Sequence, residues 1–586
     1  MRRIFPFWGW LEGYSKSVFQ HDFIAGLTVA VVLIPQSMAY AMLAGLPPVY
    51  GLYTASVAPL FAALWGSLRQ LASGPIAIMS LLVLTSLAPF AEPGSSRFIE
   101  LSFLLAFMVG CIYLFIGLFR MGIIMSFLSH SAIKGFTSAA ALIIISTQLP
   151  HLLGIQIERH EYLLPNLAAI GTNLTHTHTP TLSVGLLALG LIYLLKKIKP
   201  TLPAALIAIT TTTLLVILLR LDQHGVAVIG AIPQGLPHPR LPPFDFEIFS
   251  RLLGPAIVIA MVSFAETYSV GKSISSQTKQ KLNVNQEFIG QGIANFIGSF
   301  LQCYPSSGSF SRTAINFATG GKTGVASVVT SLGVITTLLF FTPLLPYIPK
   351  AALASLVINA VLTLFHPREV FKLWRINRHD GIVAVAVFTL ALLTKPDYAL
   401  LIGIVISLIL FLWKTMRPRI VRVTKKPEMS MFLNGDFHNA PSCPQILELR
   451  CDNAIYFANA EYTAEHIMDR CNEQEKSPVV LLLDLQAMPF IDISGVDELR
   501  SLQEELYSQG TKIALMEIRF PVRKVFKNTG FWDEVKENLR FQTRGDAYQI
   551  LFGLIDHDYC QTQCPYALFN ECHSIKNCPP DQTYCR

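Results

Sequence analysis

In the first two thirds of the chain, polar residues are confined to short breaks between long apolar runs. The runs cover 22–43, 49–66, 75–89, 99–119, 123–149, 182–197, 202–219, 252–275, 286–302, 309–318, 323–343, 350–365, 381–395 and 397–414. About 20 apolar residues cross a bilayer core, so most of these runs predict membrane-spanning helices. The runs at 75 and 309 are too short. Each follows a break rich in Gly, Pro and Ser: Leu71-Ala72-Ser73-Gly74-Pro75-Ile76-Ala77-Ile78 in the first case, Tyr304-Pro305-Ser306-Ser307-Gly308-Ser309-Phe310-Ser311-Arg312 in the second. Both predict half-helices that start at mid-membrane. Fourteen runs divide into seven plus seven, with a broken segment third in each set. A repeat with an odd number of spans recurs only upside down.

From about residue 445 the periodicity changes. Ile446–Arg450 and Ile455–Phe457 read as strands, Ala464–Cys471 as a helix, and Val479–Leu485 as a strand buried on both faces. Ser494–Gln509 (helix), Lys512–Met516 (strand) and Pro521–Thr529 (short helix) complete a small α/β domain. The expected organisation is an N-terminal segment at 1–20, a membrane domain at 21–416, a basic linker at 417–440, the α/β domain at 441–555 and a Cys-rich tail at 556–586.

Composition agrees with a chain that lies mostly in lipid. Of 586 residues, 52% are hydrophobic and 14% charged, against about 25% charged in soluble domains. The net charge of +7 does not point to nucleic acid. The basic residues sit between apolar runs, concentrated in alternate loops such as Lys196-Lys197-Lys199 and Arg368–Arg378. That bias places both termini in the cytoplasm. Arg417, Arg419, Arg422, Lys425 and Lys426 follow the last run, where anionic lipid is expected. Phe5, Phe7, Trp8 and Trp10 read as an interfacial anchor before the first span. No cleavable signal peptide is evident.

A helix that begins in mid-membrane leaves its first N–H groups unpaired and carries partial positive charge there. Gly74, Pro75, Ile76 and Ala77 open the first half-helix. Ser309, Phe310 and Ser311 open the second, and together they form a candidate anion cradle. Arg312 directly follows and needs a partner in the protein interior. Glu266 interrupts an apolar run, and an intramembrane carboxylate is a functional residue by default; here it is a candidate proton carrier. Arg312 and Glu266 are expected to neutralise each other until an anion arrives. Gln36 and Tyr40 lie one helical turn apart and face one way.

The run Ile34–Ala41 (IPQSMAYA) followed by Gly45–Tyr53 (GLPPVYGLY) resembles the signature of the SulP anion transporter family, the sulfate permease type. The resemblance continues through 73–82, 135–144, SFAETYSVGK at 263–272 and SGSFSRTAIN at 307–316. Residues 448–462 and PFIDISGVDEL at 489–499 resemble a STAS domain. The likeness covers nearly the whole chain to about residue 555. It implies an α-helical membrane protein of 14 transmembrane segments in two inverted seven-segment repeats. A core bundle carries the substrate against a gate bundle, in an elevator-like motion and usually in a homodimer. It also implies that Gln36 and Tyr40 line the anion site. In related STAS proteins a Ser at the position of Ser494 is phosphorylated; the plain alternative is a helix cap.

The tail is not implied by the family. Cys560, Cys564, Cys572, Cys578 and Cys585 crowd it. Zinc or an iron–sulfur cluster on Cys560, Cys564, Cys572 and Cys578, redox-reactive thiols, and packing without a ligand all fit the spacing. The expected function is proton-coupled uptake of a small anion, sulfate first, across the bacterial inner (plasma) membrane. Bicarbonate transport with sodium, dicarboxylate or chloride carriage, and an anion sensor signalling through the STAS domain are the alternatives. Transport requires no cofactor, and the STAS domain is expected to bind cytoplasmic regulatory proteins. No nucleotide loop or nucleophile–base pair points to an enzyme.

Overall fold

A computed structural model describes residues 6–11, 13–123, 129–157, 163–199, 203–365, 367–394, 396–426, 431–474 and 476–576. Among the described residues, each apolar run of the sequence carries a helix. In chain order these are α1 (Lys16–Leu43), α2 (Pro48–Trp65), α3 (Ala77–Leu87), α4 (Ser96–Leu118), α5 (His130–Leu153), α6 (Thr179–Ile198) and α7 (Ala204–Leu218). Then come α8 (Phe246–Thr278), α9 (Val284–Phe300), α10 (Phe310–Ala318), α11 (Val325–Thr336), α12 (Lys350–Leu362), α13 (Arg378–Leu393) and α14 (Pro396–Thr415). Eight stretches of helix are long and apolar enough to cross a membrane by length and composition. By contrast, α3 has 11 residues and α10 has 9. At 1.5 Å per residue they reach about 15 Å, roughly half of a bilayer core.

The chain divides into two units, Met1–Leu408 and Ile409–Arg586. In the first unit the helix contacts sort into two groups. α1, α2, α4, α8, α9, α10 and α11 pack mainly among themselves, and α5 packs with α6, α12 and α13. Small residues set the close approaches. A Cβ on Gly51 of α2 would lie 2.0 Å from the Ser37 carbonyl oxygen of α1, and one on Gly110 of α4 would lie 2.5 Å from the Phe296 nitrogen of α9. Trp10 does not lie at the interface as the sequence suggests. It is buried, its ring filling the space above Gly324, while Trp8 stays exposed.

The two breaks meet. β1 (Ser73–Gly74) and β2 (Ser307–Gly308) pair antiparallel, Ser73 with Gly308 and Gly74 with Ser307. Each two-residue strand runs almost directly into its half-helix. Because the strands are antiparallel, α3 and α10 leave the pair in opposite directions with their N-terminal ends turned toward each other.

The second unit is a six-stranded sheet. Its strands are β3 (Ile420–Lys426), β4 (Met431–Asn434), β5 (Ile446–Cys451), β6 (Val480–Asp484), β7 (Lys512–Met516) and β8 (Arg540–Phe541), in the order β4-β3-β5-β6-β7-β8. β5 to β8 are parallel, and β3 is antiparallel to both neighbours. The longer helices are α15 (Ala460–Asn472), α16 (Ile493–Ser508), α17 (Phe520–Asn528), α18 (Arg544–Leu551), α19 (His557–Thr562) and α20 (Asn570–Lys576). Three expectations change here. The stretch read as a basic linker forms β3 and β4. The tail is part of the core: Cys560, Ala567, Leu568, Phe569 and Cys572 join its apolar cluster, and Phe569 packs 4.3 Å from Tyr548. Ile455–Phe457, read as a strand, contributes only one bridge, Ile455 to Ile491. Asn459 turns the chain there by accepting from the Tyr456 N–H at 2.9 Å.

Two carboxylates are sealed in this sheet. Glu448 on β5 and Asp484 on β6 have fully buried side chains, and Arg544 of α18 donates to both, at 2.9 and 2.8 Å. The Tyr548 hydroxyl donates to the other Glu448 oxygen at 2.8 Å. Burial pushes the Glu448 carboxyl up, and the Arg544 charge draws it back. Arg544→Leu is therefore expected to destabilise this unit by about 3–5 kcal/mol, the cost of leaving buried charge unpaired. A carboxyl raised in the fold is least costly when protonated. The defect should thus be largest above the titration of Glu448 and shrink as pH falls through it. Amide hydrogen exchange in β5 and β6 of the full-length protein checks this. Unchanged exchange at neutral pH would disprove it.

Candidate anion site

The strand pair is clamped from two sides. From α8, Thr267 Oγ1 lies 2.8 Å from Ser307 Oγ and accepts from the Gly308 N–H at 3.1 Å. The Ser307 hydroxyl donates to the Ser263 carbonyl at 2.7 Å. From α9, Gln291 donates to Ser73 Oγ at 2.7 Å, and Asn295 both accepts from the Ser306 N–H and donates to its carbonyl. One helical turn before Gln291, Glu287 accepts from the Ser67 N–H at 2.8 Å and the Ser67 hydroxyl at 2.9 Å. Polar side chains so deep in an apolar unit persist because each finds a partner.

Neither half-helix is capped by a side chain. Ile76 is the N-cap of α3 and Ser309 that of α10, and no cap hydrogen bond is made at either. Their first-turn N–H groups therefore keep the open valence of a helix start. The Ser309 side chain does not cap α10; its hydroxyl lies 3.4 Å from that of Ser311. Phe310 is 55% exposed and Ser311 is exposed, so these two offer backbone N–H groups rather than enclosed side chains. Pro75 is buried and precedes the helix rather than opening it. Gly74 has φ +145°, a conformation few other residues adopt.

Arg312 is the centre of the arrangement. It is 0% exposed, on the first turn of α10. One Nη donates to Gln36 Oε1 at 3.5 Å; Nε and the other Nη have no partner. A Cβ on Gly74 would sit 3.3 Å from the free Nη, so a side chain there would crowd the guanidinium. Tyr40, Glu266 and Tyr304 all lie within electrostatic range of the guanidinium. The structure thus brings Gln36, Tyr40, Gly74, Glu266 and Arg312 around one place. It does not form the expected direct pair: Glu266 makes no ion pair with Arg312, and Glu266 Oε2 is itself unpartnered. The reason is placement, since α8 turns Thr267, not Glu266, onto β2. Tyr304, buried and 3.3 Å from Ser80 Oγ, was missed in the sequence. Its position directly before Pro305, at the head of the second break, was the available signal.

In the second unit Asp492 caps α16, accepting from the Gly495 N–H at 2.8 Å, and Ser494 is exposed on the first turn. Cys560, Cys564 and Cys572 are buried free thiols, and Cys578 lies outside the described residues. Among the described residues no three His, Cys, Asp or Glu side chains already stand in a metal-holding arrangement.

The pattern of the sulfate permease family matches residues 19–387, and that of the STAS domain matches 439–547. The chain is similar to the chloroplastic sulfate transporter 4.1 of Arabidopsis thaliana, 32% identical over 93% of this chain and 82% of that protein. It is also similar to high affinity sulfate transporter 1 of Stylosanthes hamata, 33% identical over 88% of this chain and 81% of that one. In fold, it resembles the murine solute carrier 26 family member A9 anion transporter in its inward-facing state. The TM-score is 0.85 at 24% identity, over 94% of each chain. The transmembrane domain of the cyanobacterial bicarbonate transporter BicA aligns with a TM-score of 0.58 at 24% identity, over 67% of this chain and 98% of that one.

Proposed function

The chain belongs to the sulfate permease family, and from that premise we propose that it takes up sulfate together with a proton, by elevator-type alternating access. The single observation that carries the reading is Arg312, a fully buried guanidinium with two unpartnered N–H directions. A lone buried cation costs several kcal/mol unless a counter-charge joins it. Here the free edge lies beside Gly74, near two helix starts that also favour negative charge. A small oxyanion completes the set. The named substrates of the two plant relatives point to sulfate.

Glu266 is the proton carrier in this reading. Its charge opposes that of the anion, so a proton on Glu266 and sulfate at Arg312 each favour the other's binding. The group formed by α1, α2, α4 and α8–α11 moves as the core against the group of α5, α6, α12 and α13. The fourteen-segment inverted repeat, a homodimer, residence in the inner (plasma) membrane with both termini cytoplasmic, and control through Ser494 or proteins bound to the STAS domain belong to the same proposal. Transport requires no cofactor.

The test is uptake of radiolabelled sulfate into proteoliposomes over a range of external pH, with bicarbonate and fumarate as competitors. The expected result is concentrative uptake driven by an inward proton gradient, blocked by sulfate and little affected by the competitors. Binding without accumulation would indicate a sensor, and sodium-driven bicarbonate uptake would replace the substrate; either sinks the proposal.

A further inference from the structure

The connection between α12 and α13 holds a ten-residue helix, Pro367–Ile376. Its side chains sort into three faces at helical spacing. Val370 is buried and Leu373 half-buried, where the helix packs on α5 and α13. Arg368, Lys372 and Arg375 form a second face, all exposed. Between these two faces stand Phe371 and Trp374, 70% and 47% exposed. The helix is held in place at two points. Lys134, near the start of α5, pairs with Glu369. A Cβ on Gly381 of α13 would lie 2.5 Å from the Trp374 Cα, so the two backbones touch there.

These contacts fix which end of the group the helix marks. α5 and α13 begin there. α6 and α12 finish there, since Lys196 near the end of α6 donates to Asn359 near the end of α12 at 2.6 Å. Lys197 and Arg378 stand exposed at the same end. Among the described residues, none of Arg368, Lys372, Arg375 and Arg378 meets a carboxylate. Single unpaired cations on a wet surface are ordinary. Here three line one face of a helix whose flank exposes a Phe and a Trp, and that helix returns the chain between two membrane-spanning runs. Such rings favour the boundary between water and acyl chains, and cations beside them meet the headgroups.

We propose that the Pro367–Ile376 helix lies in the membrane surface and binds anionic phospholipid. Arg368, Lys372 and Arg375 take the headgroup phosphates, and Phe371 and Trp374 rest on the acyl boundary. The charge bias of the loops assigns this side to the cytoplasm, whose leaflet carries anionic lipid. The stretch from Arg417 to Lys426, where the sequence places that lipid, is built differently. From Ile420 on it is a strand of the sheet, with Val421 and Val423 buried. The lipid thus anchors the group of α5, α6, α12 and α13, the stationary group of the proposed elevator. The lipid site itself does not depend on that motion or on the identity of the transported anion.

The experiment follows the unfolding midpoint of the full-length protein in neutral detergent. Short-chain phosphatidylglycerol, phosphatidylcholine of the same chain length, or inorganic phosphate is added. Phosphatidylglycerol should raise the midpoint in a saturable way, and phosphatidylcholine should not. The triple variant Arg368→Gln, Lys372→Gln, Arg375→Gln should bind phosphatidylglycerol about 100-fold more weakly, at roughly fivefold per cation. Should it fail to fold, each single variant should still lose about fivefold. Lys524→Gln, Lys527→Gln, Lys536→Gln, the same charge loss on exposed residues of the second unit, should respond as the wild type does. Phe371→Ser, which leaves every charge in place, should weaken binding several-fold. Equal stabilisation by the two lipids overturns the proposal, as does wild-type affinity in the Arg368, Lys372 and Arg375 variants. So does a response to inorganic phosphate that these variants lose, since the cations then hold a free anion rather than a lipid.

Discussion

Arg312→Gln is expected to abolish saturable sulfate uptake while leaving the empty protein at least as stable as the wild type. The two effects have opposite signs because the guanidinium is costly in one state and essential in the other. Empty, it is fully buried with a single long hydrogen bond, to Gln36, and two free donor directions. Replacing it by a neutral amide removes that burden. Loaded, the anion in the variant loses the guanidinium that faces it and keeps the helix starts of α3 and α10. Breaking a buried charge pair by removing one partner costs about 3–5 kcal/mol, roughly a 150- to 4,000-fold loss of affinity. Stabilisation by added sulfate, present in the wild type through mass action, should vanish in the variant. Arg312→Lys should recover part of the affinity, since it restores charge without the planar fork. Near-normal uptake by Arg312→Gln would remove the basis of the anion site. Inactivity accompanied by a large loss of stability would reassign Arg312 to a structural role.

The breaks at 71–78 and 304–312 were legible because glycine, proline and serine cluster there just ahead of an apolar run too short to span a bilayer, and the half-helices followed from length alone. That the two breaks pair as strands was not legible. A two-residue strand has no period, and its partner lies more than two hundred residues away. The separation of Glu266 from Arg312 was equally hidden. Charge complementarity in a sequence says which groups want each other, not that α8 presents Thr267 to β2 instead. In the second unit the error had a different cause. β3 carries Arg422, Lys425 and Lys426 on a strand whose Ile420, Val421 and Val423 are buried, so charge masked the strand. Phe569 and Cys572 read as an appendage because the aromatic cluster they complete is built from Phe432, Tyr548 and Phe552, distant in the chain.

Glu266→Gln is expected to keep sulfate binding and lose proton coupling. The amide is close in shape to the protonated acid, so it fixes the site in the state that repels the anion least. In the wild type, sulfate affinity should rise as pH falls, because protonation removes a negative charge within electrostatic range of the Arg312 guanidinium. In the variant, uptake should be the same across pH and match the wild type at acid pH. The energetic consequence is larger than the kinetic one. Each coupled proton moving down a gradient of one pH unit contributes about 1.4 kcal/mol, or tenfold accumulation. Wild-type proteoliposomes should therefore concentrate sulfate under an inward proton gradient, whereas Glu266→Gln vesicles should only equilibrate it. Glu266→Asp, which retains a titrating group, should accumulate again at a lower rate. Two results would end this account: a Glu266→Gln protein whose uptake still follows pH as the wild type does, which puts the proton elsewhere, and one that binds no sulfate at any pH, which makes the carboxylate a structural member of the site.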